Sequence, residues 1–134
     1  MVGLILVSII PSSHAIDPLD RVPILSPRLE DFFQNPVSKN INVNQQVQIA
    51  ADITNNQEID QKLVYIVQIK DAGDVVIYLV WIEGLELNPH QTFSPAVSWK
   101  PELSGSFVAE IFVWESLDNP DALSESISFD ITAS

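Results

Sequence analysis

The stretch Ser98–Glu115, SWKPELSGSFVAEIFVWE, decides the fold. It reads as the end of one strand at Trp99, a corner from Pro101 to Gly105, and then a long strand in which Phe107, Ala109, Ile111 and Val113 alternate with Val108, Glu110, Phe112 and Trp114. Apolar residues recurring with a period of two describe a strand with one buried face. The Pro and Gly of the corner stop the preceding strand from running on.

Working outward, the same period recurs on both sides. Ile41 and Val43 make a short first strand, and Val47, Ile49, Ala51 and Ile53 give the inward face of a second, closed by Asn55-Asn56. A third runs from Lys62 to Lys70 with Leu63, Tyr65, Val67 and Ile69 inward, and Asp71-Ala72-Gly73-Asp74 is the hairpin turn out of it. Val75–Ile82, VVIYLVWI, is apolar without interruption, so both of its faces are expected to meet something. After Gly84 and Asn88-Pro89-His90 a strand covers 92–99, and a last one covers 124–132 beyond the loop Leu117–Asp121. The expectation is all-β: a seven-stranded antiparallel Greek-key β-sandwich spanning 37–134.

Ahead of it, 16–36 holds four prolines among Leu19, Val22, Ile24, Leu25, Leu29, Phe32 and Phe33, a proline-rich arm. Ser26-Pro27 is a helix-start signal. Leu29, Phe32 and Phe33 then share one face of a short helical turn that would need something to cover. Residues 1–15 carry an apolar run, Val2–Ile10, followed by Ser13-His14-Ala15, the small-x-small pattern of a secretion-signal cleavage site. Ile16 would be the mature N-terminus, and the chain would be secreted or held at the cell surface. The run is too short to span a bilayer. It lacks the usual basic residue before it, which leaves a start further upstream open.

The order LELNPHQT, SWKPELSGSF and a strand ending in FVWES resembles the immunoglobulin-like and fibronectin-type sandwiches of archaeal and bacterial cell-surface proteins, the adhesion-related surface domain above all. The resemblance covers 38–132. It implies a non-catalytic structural or interaction role, with other cell-surface proteins or a second copy as partner. His90 stands where such domains usually have Gly, and Phe107 takes the place of the tyrosine-corner residue.

Acidic residues outnumber basic ones 18 to 6, a formal charge of −12, which excludes nucleic acid as a partner. Without cysteine, and with His14 and His90 as its histidines, the chain offers no zinc or copper ligand set, and a Ser-His-Asp triad would have to be built on His90 alone. No enzyme activity or bound cofactor is expected. Alternating strand directions gather Glu58 and Asp60, Glu83 and Glu86, and Glu115, Asp118 and Asp121 at one pole. There they are either a solvated rim or oxygen ligands for calcium, whose candidates are Glu58, Asp60, Glu115, Asp118 and Asp121. The other candidate site is apolar. Val64 and Ile66 should lie beside Phe112 and Trp114 on an outer sheet face, continued by one side of Val75–Ile82. Three occupants compete for it: the proline-rich arm, a partner protein, and a sugar stacked on the aromatics. The rival function is accordingly a ligand-binding module for calcium or carbohydrate.

Overall fold

The computed structural model describes Gly3 and residues 16–134, so the expected leader lies outside the described residues but for Gly3. Ten strands follow: β1 Ile24–Glu30, β2 Pro36–Val37, β3 Asn40–Ile41, β4 Val47–Thr54, β5 Gln61–Lys70, β6 Val76–Leu87, β7 Thr92–Phe93, β8 Ala96–Trp99, β9 Gly105–Trp114 and β10 Ile127–Ala133. One sheet has the order β2-β1-β4-β7, with β8 also paired to β4; the other has the order β3-β10-β9-β5-β6. All pairings are antiparallel except β3 with β10. No helix occurs among the described residues, and none is long and apolar enough there to cross a membrane.

The alternation seen in sequence builds the core between the sheets. Val47, Ile49, Ala51 and Ile53 of β4 meet Leu63, Tyr65, Val67 and Ile69 of β5 and Phe107, Ala109, Ile111 and Val113 of β9. Trp99 packs its ring against Phe107 edge to face at 5.3 Å. Tyr65 crosses the core to Ile49, its hydroxyl donating to the carbonyl oxygen at 3.4 Å. Burial pushes that hydroxyl well above the ordinary tyrosine range.

Three expectations need correction. The strand count is ten, not seven. The arm supplies β1 and β2, and the strand expected over 92–99 is divided into β7 and β8 by Ser94-Pro95. Second, Ser26-Pro27 opens no helix. Ser26 has φ 53° and the β1–β4 register shifts between Leu25 and Arg28, so the dipeptide is a bulge inside a strand. Proline has no N–H for the ladder, and a bulge is one of the few places a sheet accepts it. Leu29 then points into the core, while Phe32 and Phe33 sit exposed in the Asp31–Asn35 turn, where the Asp31 carboxylate accepts from the Phe33 and Asn35 amides at 2.8 and 3.0 Å. These bonds hold that carboxyl below the usual range. The arm is a sheet member, and its phenylalanines cover nothing.

The third correction concerns Val75–Ile82. Among the described residues only one face of it is covered. Tyr78, Val80 and Ile82 pack against the core, while Ile77, Leu79 and Trp81 face outward from an edge strand. The strand also runs on to Leu87. Gly84, with φ 74°, absorbs a register shift opposite Leu63–Tyr65, a bulge rather than a strand end.

Candidate interaction face

The register brings the four sequence-chosen apolar residues together. Val64 lies opposite Trp114 and Ile66 opposite Phe112 across β5 and β9, and the Phe112 and Trp114 rings meet edge to face at 5.9 Å. On its other side Ile66 lies opposite Trp81 of β6, and Gln68 lies opposite Leu79. The exposure of the four is uneven. Val64 and Ile66 are 1% and 5% exposed, whereas Phe112 and Trp114 are half-buried. The open apolar surface belongs to β6, where Ile77, Leu79 and Trp81 keep 46%, 53% and 45% of their surfaces. The uninterrupted apolar run was the signal for these three.

Polar groups close the face toward the β5–β6 turn. Lys70 meets Glu110 at 2.9 Å and Asp74 at 3.4 Å, and the Gln68 amide donates to Glu110 at 3.3 Å. The Glu110 hydrogen bond raises the lysine above its ordinary range. Beyond β9 the outward positions of β10 are Ser128, Asp130 and Thr132. The apolar surface is thus a band along the β6 side of one sheet.

The loops expected at one pole do converge there. Asn55 is fully buried and organises them. Its side-chain N–H₂ donates to the carbonyls of Ile59, Leu87 and Asn88 at 2.7, 3.0 and 3.2 Å, and its oxygen accepts from the Gln57 amide at 3.1 Å. The backbone of His90, at φ 63°, takes the left-handed conformation that a glycine would hold freely, and its N–H donates to the Asn55 carbonyl. The acids at this pole are engaged separately. Glu58 meets His90 at 2.8 Å, Asp121 meets Arg21 at 3.0 Å, and Glu115 accepts from Asn119 at 2.9 Å. Asp60 and Asp118 are exposed, and Glu83 and Glu86 lie on β6. Among the described residues no three acidic or histidine side chains form a group able to hold a metal ion.

At the opposite pole a cleft of about 760 Å³ lies between the Asp71–Gly73 turn and the 100–106 corner, lined among others by Tyr78, Trp99, Ser104 and Ser106. The Tyr78 hydroxyl donates to the Ser98 carbonyl at 2.8 Å and ties β6 to β8 across it.

No protein-family model matches the chain, and no curated protein matches it. Solved structures do. The C-terminal domain of Wzt has a TM-score of 0.65 at 14% identity, over 85% of this chain and 74% of that one. The CARDB domain of the PF1109 protein from Pyrococcus furiosus, solved in complex with di-metal ions, has a TM-score of 0.54 at 16% identity, over 84% and 89%. The fold is immunoglobulin-like. A cycloisomaltooligosaccharide glucanotransferase of Paenibacillus reaches a TM-score of 0.65 at 14% identity, but the similarity takes in only 14% of that chain. At these identities the likeness concerns the fold alone.

Proposed function

We propose that the chain is a non-catalytic, exported interaction domain of the cell surface, of the adhesion or surface-layer type, whose outer apolar face docks onto another protein. The observation that carries this reading is the exposed row Ile77, Leu79 and Trp81, flush with Phe112 and Trp114. A contiguous apolar surface of this kind on a folded domain marks an interaction site, and tryptophan is among the residues that dominate binding energy. The absence of catalysis is supported by the match to two self-contained sandwich domains over most of their length, while the glucanotransferase shares only a small part of itself. Export rests on the pattern of residues 1–15.

The test places a photo-cross-linking phenylalanine analogue at position 112 of the full chain in its own cells. The expected result is an envelope-fraction adduct with a second protein that disappears when Trp81→Asp is added. A chain recovered from the cytosol with Met1–Ala15 intact and forming no adduct would overturn the reading. The cleft near Tyr78 and Trp99 favours the rival, a carbohydrate-binding module. A change in tryptophan fluorescence on titration with neutral oligosaccharides would support that rival.

A further inference from the structure

Sheet edges attract other strands, and proteins blunt them with brevity, proline, bulges or charge. Three of the four edges here are blunted. β2 has two residues beginning at Pro36, and the stretch of β1 beyond it is bent by the Ser26-Pro27 bulge. β7 and β8 have two and four residues and are parted by Pro95. β3 has two residues, and β10 beyond it turns Ser128 and Asp130 outward. β6 differs from all of them. It is twelve residues long, and between its two bulges, at Val76–Ile77 and at Glu83–Gly84, the stretch Tyr78–Ile82 contains no charge and no proline.

We propose that β6 pairs edge to edge with β6 of a second copy of this chain, antiparallel about a two-fold axis at Leu79, joining two five-stranded sheets into one of ten. The pairing goes beyond the reading of the outer face as an interface, because it joins strand edges and leaves that face open. The strand is self-complementary in that register. Leu79 would meet Leu79 on the outer face and Tyr78 would meet Val80 on the inner face, while Ile77, in the bulge, would lie across from Trp81, so the centre of the strand sets apolar positions against apolar partners. Val75, Val76, Ile77, Leu79 and Trp81 each keep about half of their surface free. Pairing covers the strand edge and the flanks of these side chains while their outer sides stay in water, so the area removed falls below the roughly 1,000 Å² of specific association, which describes a weak dimer. The charge of −12 on each copy opposes it. Since charges are screened beyond about 8 Å at physiological ionic strength, added salt strengthens the pairing.

Sedimentation equilibrium of the full chain from micromolar to millimolar concentration is expected to show monomer and dimer, with more dimer at higher salt. Leu79→Lys sets two ammonium groups against each other across the axis and should weaken association about tenfold or more. Leu103→Lys, on the exposed 100–106 corner, should leave it unchanged. Hydrogen exchange of the unsubstituted chain reads the edge directly, because the amides of Val76–Ile82 not bonded to β5 should become protected as concentration rises. A dimer whose free-edge amides stay unprotected, or one indifferent to Leu79→Lys, overturns the pairing while leaving the face an interface. A monomer at every concentration overturns it too, and cross-linking at position 112 still judges the face by itself.

Discussion

Asn55→Ala tests whether one buried amide holds the acidic pole together. The side chain is fully buried, donates to three carbonyls on two other segments, and accepts from the Gln57 amide and side chain. An NH₂ group has two protons, so the three carbonyls at 2.7, 3.0 and 3.2 Å share them, and the firm bonds number two as donor and one as acceptor. At about 1 kcal/mol net for each, with a further cost for leaving the Leu87 carbonyl short of a donor, the substitution should destabilise the domain by roughly 3 kcal/mol. That is a large part of a typical stability of about 5 to 15 kcal/mol. For a domain of this size each kcal/mol shifts Tm by about 3 to 5 °C, so thermal unfolding followed by circular dichroism should move down by roughly 10 to 15 °C. Asn55→Asp should be worse at neutral pH than at pH 3, because a carboxylate facing three carbonyls repels them until it is protonated. Asn56→Ala, which removes one exposed bond to the Asp20 carbonyl at 3.3 Å, should cost less than about 1 kcal/mol. Equal Tm values for Asn55→Ala and the unsubstituted chain would refute the account of the pole.

Three further outcomes follow from the arm and from the titrating groups. Deleting 16–36 removes β1 and Pro36 of β2, uncovers β4 and takes Val22, Ile24 and Leu29 out of the core, so the remainder should lack a cooperative thermal transition; a domain that still melts sharply near the original Tm would make the arm dispensable. Tyr65 has its folded-state pKa raised by burial, so its contribution is fully present below the unfolded value of about 10 and is lost as pH rises beyond it, and Tyr65→Phe should flatten that alkaline decline in Tm. Asp52 behaves oppositely. The Ser94 hydroxyl and the Arg28 guanidinium lower its pKa, so its contribution is present above about pH 4 and fades as pH falls through the folded value, a fade that Asp52→Asn should remove.

β4 and β9 were legible because their inward positions alternate with less buried ones and write a period of two into the sequence, and β5, buried on both faces over Leu63–Val67, was placed by its inward set Leu63, Tyr65, Val67 and Ile69. Which residues share the outer face was legible for the same reason: fixing the inward set of two neighbouring strands puts Val64, Ile66, Phe112 and Trp114 on the other side, while the register that sets Val64 opposite Trp114 came from the structure. β1 was not, because its bulge breaks the alternation at the very dipeptide that elsewhere starts a helix. The open side of β6 escaped for a different reason. Whether an apolar strand is central or at an edge is a property of the sheet order, and Val75–Ile82 reads the same in either place. Asn55 carried no local sign of its role, since a buried, fully bonded asparagine and a solvated turn asparagine are the same letter. Strand direction alone says nothing of which basic group an acid meets: Glu58 and Asp121 pair with His90 and Arg21, whose positions the alternation does not specify, and Glu83 and Glu86, expected in a loop, lie on β6.

The parallel pairing of β3 with β10 gives the domain a mechanical character. The described chain enters beside Asn56 and Leu123 and leaves at Ser134, which exchanges backbone hydrogen bonds with Ile41 and Val43 at the other pole. Tension drawn between those ends would pull β3 and β10 in opposite directions along their own length. Their hydrogen bonds, lying across that pull, would share the load and fail together, where an antiparallel hairpin pulled at its open end unzips bond by bond. Thr132 and Ala133 of β10 are therefore a clasp: loosening their pairing with Asn40 and Ile41 would lower the force at which the domain opens.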